Sequence, residues 1–158
     1  MRRLAVLLAT GLGLGRLPVA PATWASAATA LVLFYLLPRM DHLAYGVLTV
    51  GVTLFAILVC GPAEEVLGHD AHPIVADEVA GMMVTMIAAP AFAPVGPPYL
   101  VALIAGFFLF RIFDIWKPPP VGRAQNLPGA FGIVADDLLA GVYANVALQI
   151  LALVWRSR

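Results

Sequence analysis

Phe110-Arg111-Ile112-Phe113-Asp114-Ile115-Trp116-Lys117-Pro118-Pro119-Pro120 closes an apolar run with three charges at intervals of three. On a helix that interval places Arg111 and Asp114 on one face, about one turn apart. Pro118 disfavours helix for the residue before it, so the helix is expected to stop at Lys117. A carboxylate would then sit between two cations at the mouth of a membrane-like segment. Charges at that depth are costly and usually mark a site. Cations at a helix C-terminus also favour its dipole, and that simpler reading applies to Arg111 and Lys117. It does not apply to Asp114, whose negative charge is disfavoured there.

The rest of the chain supports a membrane setting. Of 158 residues, 62% are hydrophobic and 11% are charged. A soluble domain would carry roughly 25% charged residues. The expected architecture is an all-α, polytopic membrane helical bundle forming a single domain over residues 1–158. The formal net charge is zero, so bulk charge offers nucleic acid no attraction. The lone cysteine, Cys60, excludes an internal disulfide and a cysteine metal site.

About five hydrophobic helices are expected, starting near Thr23, Leu43, Ile74, Tyr99 and Asp136. Leu43–Gly61 and Leu138–Trp155 are uncharged stretches of near-spanning length. Gly11, Gly13, Gly15, Pro18 and Pro21 make the first segment a poor continuous helix. Thr23 is a candidate helix N-cap. Pro90, Pro94, Pro97 and Pro98 are expected in an apolar loop. Alternating five helices puts Arg2, Arg3, Arg16, Arg111, Lys117 and Arg123 on one face, and Arg39, Arg156 and Arg158 on the other. The positive-inside rule assigns the first face to the cytoplasm. Glu64, Glu65, Asp70, Asp77, Glu78, Asp114, Asp136 and Asp137 share that face, and Asp41 alone lies opposite.

Such one-sided clustering points to a metal-binding or proton-handling site built from helix ends. Asp77, Glu78, Asp114, Asp136 and Asp137 are the candidate catalytic residues. Hard carboxylates suit Mg²⁺ or a similar cation. Asp77, Glu78, Asp114 and Asp137 are the candidate ligands, although Mg²⁺ usually takes only one or two protein carboxylates. Acids near helix N-termini also stabilise the dipole, which is the plain alternative for Asp77-Glu78 and Asp136-Asp137. Arg111 and Lys117 are candidates to hold a phosphate, with Thr23 at a helix N-terminus as a third. An Arg111–Asp114 ion pair without any ligand is the alternative. Gly81 and Gly141, each four residues after an acid, would let two helices approach closely, or simply pack a core. His69 and His72 are weaker candidates as ligands or bases.

Four blocks then carry a resemblance. They are Gly13-Leu14-Gly15-Arg16-Leu17-Pro18-Val19-Ala20-Pro21-Ala22-Thr23-Trp24-Ala25-Ser26, His69 to Met82, Phe110 to Pro118, and Gly129 to Gly141. Together they resemble the phosphatidylglycerophosphatase A family, in order and over nearly the whole chain. Ala22, Ala25 and Ala130 stand where that family usually has glycine. The resemblance implies a Mg²⁺-dependent, multi-pass phosphatase of the bacterial inner (cytoplasmic) membrane, with its site on the cytoplasmic side. Its substrate would be the phospholipid phosphatidylglycerophosphate, and its product phosphatidylglycerol. The resemblance also makes Leu4 to Ser26 part of the mature protein rather than a signal peptide. The rival reading is a small ion-coupled transporter that uses the same acids as a cation site. That reading expects polar residues through the membrane depth, yet Leu43–Gly61 and Leu138–Trp155 carry only Thr49, Thr53, Asn145 and Gln149 as strongly polar residues.

Overall fold

A computed structural model describes residues 2–69, 71–89 and 97–156. Asp70, Pro90, Pro94 and Arg158 lie outside the described residues. Among the described residues, seven α-helices follow one another: α1 (Arg2–Ala9), α2 (Pro21–Leu36), α3 (His42–Leu67), α4 (Ala76–Thr85), α5 (Pro97–Trp116), α6 (Val121–Ala124) and α7 (Ala130–Arg156). No strand occurs among the described residues.

Among the described residues, four helical stretches are long and apolar enough to cross a membrane: Pro21–Arg39, His42–Leu67, Tyr99–Trp116 and Ala130–Trp155. Their outward faces carry large apolar side chains such as Leu43, Leu58, Phe108, Ile112, Ile150 and Leu153. A surface so rich in exposed apolar groups suits lipid rather than water. The bundle is therefore all-α and membrane-spanning, as expected.

The third of the five expected hydrophobic helices differs. The run from Ile74 to Ala89 forms only the ten-residue α4, about 15 Å long, half the hydrocarbon thickness. Eight of its ten residues are buried. Its C-terminal carbonyls therefore end inside the bundle, where no water can satisfy them. Polar side chains from neighbouring helices take that role. Asn145 Nδ2 donates to Thr85 O (2.9 Å) and Ile87 O (2.7 Å), and Gln149 Nε2 donates to Ile87 O (3.3 Å). Tyr45 OH donates to Met83 O at 2.8 Å.

Glycines set how close α4 comes to its neighbours. A Cβ on Gly141 would lie 2.4 Å from Gly81 O, and one on Gly81 would lie 2.7 Å from Asp137 O and 2.6 Å from the Phe110 ring. Both alternatives for these glycines hold together: the backbones touch, and the contact is the core. The N-terminal segment locks the entry to α4. Val75 N donates to Ala9 O at 2.9 Å, and a Cβ on Gly15 would overlap Pro73 O at 1.9 Å.

Three helix starts shift from expectation. Helix α2 begins at Pro21 with Ala20 as its N-cap, so Thr23 lies inside the first turn rather than capping it. Proline fits the first helical position because it lacks the amide that would go unbonded. For the same reason Pro97 and Pro98 open α5 instead of belonging to a loop. Helix α7 begins at Ala130, just after Gly129 at φ +65°. Asp136 and Asp137 therefore lie in its second turn, beyond the free amides, and the dipole explanation does not reach them.

Candidate active site

The N-terminus of α4, the last turns of α5 and the second turn of α7 meet where Gly81 and Gly141 let the helices close up. Asp77, Glu78, Asp114, Asp136 and Asp137 are all buried there. The i,i+3 spacing in α5 has its expected effect, because Arg111 Nη1 lies 3.0 Å from Asp114 Oδ2. The same nitrogen lies 2.5 Å from Glu78 Oε2, so Arg111 joins α4 to α5. Asp137 meets Asp114 side chain to side chain and lies in the field of Glu78 and Asp77.

The two acid pairs share a local pattern. Asp77 Oδ1 accepts from Glu78 N, and Asp136 Oδ1 accepts from Asp137 N, each at 3.0 Å. The first acid of each pair is tied to its own backbone. The second, Glu78 or Asp137, faces Arg111 and Asp114. Asp136 also accepts from Lys117 Nζ at 2.6 Å, and Lys117 Nζ reaches Gln125 Oε1 at 3.1 Å.

Lys117 follows the last residue of α5, as Pro118 requires, with φ +46°. Its amide donates to Phe113 O at 2.9 Å, which closes the helix in a left-handed cap. That conformation is unusual for a residue with a side chain.

One further residue enters the site. Ser26 Oγ lies 3.0 Å from Glu78 Oε2 and 2.9 Å from Ala22 O. Ser26 brings the first turns of α2 to the acids, whereas Thr23 was the residue of α2 expected at the site, as a donor to phosphate. Thr23 is half-buried one turn earlier. Only the position of Ser26 in the first of the four blocks marked it, since a serine in an apolar helix usually bonds its own backbone.

Burial holds the Glu78 carboxyl above the usual carboxylate range; the Arg111 guanidinium and the Ser26 hydroxyl oppose the shift, and Asp114 adds to it. Five acids stand against two cations, Arg111 and Lys117. Buried negative charge in such excess requires protons or further cations. Two buried atoms have no hydrogen-bond partner among the described residues: Asp137 Oδ2, an acceptor that marks the same need, and Arg111 Nε, a donor that lacks an acceptor. The donor types thus fit a hard cation. Their present positions do not yet form its shell, since no group of three or more His, Cys, Asp or Glu side chains among the described residues is arranged to hold a metal.

Glu64 and Glu65, the other described first-face acids, have partners of their own. Glu64 pairs with His69, and Glu65 pairs with Arg2 at 2.9 Å, both near the end of α3. His72 is exposed.

Fold and site together define a multi-pass helical membrane protein with a buried, acid-rich cluster at one end of its bundle. A family model described as Phosphatidylglycerophosphatase A matches residues 7–152, and the chain belongs to that family. It is 36% identical over 151 residues to the Phosphatidylglycerophosphatase A of Escherichia coli, covering 94% of this chain and 84% of that protein. The protein of the same name from Haemophilus influenzae is 33% identical over 144 residues, covering 90% and 85%. A Bacteroides thetaiotaomicron protein named "Putative phosphatidylinositol-3-phosphatase" is 34% identical over 151 residues, covering 93% and 92%. No solved structure matches the chain.

Proposed function

We propose that this chain is a Mg²⁺-dependent lipid phosphomonoesterase that converts phosphatidylglycerophosphate to phosphatidylglycerol and phosphate. The observation that carries this reading is the facing of Glu78, Asp114 and Asp137 around Arg111, with more carboxylates than the local cations can balance. Asp77, Glu78, Asp114 and Asp137 are the residues that would hold Mg²⁺. A bound Mg²⁺ supplies charge stabilisation to a phosphoryl oxygen and lowers the pKa of water. Arg111 supplies a donor to the phosphate through its unpartnered Nε, while its Nη1 keeps Glu78 and Asp114 aligned. Lys117 orients Asp136 and lies at the helix break, where a headgroup would enter. The positive-inside bias supports a cytoplasmic position for this end of the bundle.

The transporter reading loses support at mid-depth. Asn145 and Gln149 are bonded to the carbonyls that end α4, and Thr49 Oγ1 donates to Tyr45 O at 2.9 Å. These polar groups serve backbone carbonyls rather than lining a path.

The test is phosphate release from phosphatidylglycerophosphate in nanodiscs, with phosphatidylinositol-3-phosphate as the competing substrate. Release is expected with Mg²⁺ and is expected to cease with a chelator. Full activity in chelator would remove the metal from the proposal, and preference for the phosphoinositide would change the substrate.

A further inference from the structure

Beside the acid cluster, an open groove of about 340 Å³ runs along α2 and is walled by α3 and α4. Ala25, Ala28, Val32 and Leu36 form its α2 side, and Val52, Val79 and Met83 lie among the residues opposite. Its length from Ala25 to Leu36 is about 16 Å at the helical rise. The one hydroxyl on its α2 wall, Thr29 Oγ1, is bonded to Ala25 O at 2.9 Å, so the lining is apolar.

Two features say what fills it. First, its near end adjoins the site: Ala25 precedes Ser26 and Val79 follows Glu78, the pair bonded at 3.0 Å. Second, Ala28 and Val32 are exposed on the outer face of a spanning helix, so the groove opens toward lipid. A ligand would thus meet buried charge at one end and hydrocarbon along its length. A single-headgroup lipid has that polarity, and a volume at the low end for ligand sites suits one chain rather than two.

We propose that this groove seats one acyl chain of the lipid whose headgroup phosphate lies at the Glu78 cluster. The inference rests on the lipid phosphatase reading above. A chain gains little affinity by leaving bilayer for groove, because both are apolar. What the groove supplies is register: it fixes how far the phosphate projects toward Arg111. Misplacement of a reacting group by about 1 Å can cost about 100-fold in rate.

The experiment compares phosphatidylglycerophosphate in nanodiscs with its deacylated, water-soluble headgroup. Ala28→Trp fills the near half of the groove from its exposed side, and Leu36→Trp fills the far end. Ala28→Trp is expected to lower kcat/KM on the lipid by about tenfold or more and to leave turnover of the headgroup within about twofold. Leu36→Trp is expected to do the same more weakly. A photoreactive group midway along one acyl chain of the lipid should label wild-type α2 at Ala28 and Val32. Equal loss on both substrates, or labelling no different from that of phosphatidylcholine carrying the same group, would overturn the groove assignment. Wild-type protein that hydrolyses neither substrate would instead overturn the phosphatase reading.

Discussion

Lys117 Nζ lies 2.6 Å from Asp136 Oδ2, so the cation that ends α5 is joined to an acid in the second turn of α7. The sequence suggested Lys117 for phosphate and Asp136 for catalysis. Their pairing couples the two roles and allows them to be separated. Lys117→Ala leaves a buried Asp136 carboxylate without its ammonium partner, and breaking such a pair costs about 3–5 kcal/mol when both groups are buried. Lys117 is about a quarter exposed, so the expected loss is smaller, about 1–2 kcal/mol. Adding Asp136→Asn should recover most of it, measured by unfolding in detergent. If Lys117 only positions Asp136, the double variant recovers stability and has the KM and kcat of Asp136→Asn alone. If Lys117 also binds phosphate, stability returns and KM stays high.

That relationship shows what spacing can convey. The Arg111–Asp114 face and the stop before Pro118 were legible because both are local: helical period and proline sterics decide them. The close approach at Gly81 and Gly141 was legible as a possibility, since small residues permit contact without naming the partner. Contacts across helices were not legible. Nothing in the spacing says that Lys117 meets Asp136, that Ser26 meets Glu78, or that Arg111 spans two helices. The short α4 was hidden as well. An apolar run from Ile74 to Ala89 reads alike as a near-span or as a buried half-helix. The distinction lies in Asn145 and Gln149, more than 50 residues away.

Asn145 supports the depth at which α4 ends. Asn145→Leu would remove the donor to Thr85 O and one of two donors to Ile87 O. Stability is expected to fall by about 1–2 kcal/mol, the scale of hydrogen bonds between membrane helices. Asn145→Gln should recover part of that loss. A stability unchanged in Asn145→Leu would mean that Gln149 alone satisfies these carbonyls.

Gly141→Ala tests the crossing that brings the acids together. Its Cβ would lie 2.4 Å from Gly81 O, and a backbone atom cannot rotate away. The helices must separate, at a cost of about 1–3 kcal/mol. Because Asp137 lies one turn from Gly141, activity is expected to fall further than stability accounts for. Ala140→Gly, one residue away, should leave the acid geometry intact and serves as the control. Normal activity in a stable Gly141→Ala protein would show that the acids do not depend on this contact.

Asp114 is the acid whose position is hardest to explain without a cation. It sits near the C-terminus of α5, where the helix dipole opposes it, and it faces both Arg111 and Asp137. An ion pair with Arg111 accounts for one neighbour. It does not account for Asp137, because two buried carboxylates in contact repel unless a proton or a metal lies between them. Asp114→Asn removes that repulsion and keeps the shape. If the contact were only structural, the variant would be as stable as the parent or more so, and as active. If Asp114 holds Mg²⁺, the same variant stays folded, loses at least about 100-fold in kcat, and needs more Mg²⁺ to reach half its residual activity. Stability and the Mg²⁺ midpoint are measured on the same preparation, so the outcomes separate. Retained activity with an unchanged Mg²⁺ titration would place the metal elsewhere and leave Asp114 as a partner of Arg111 alone.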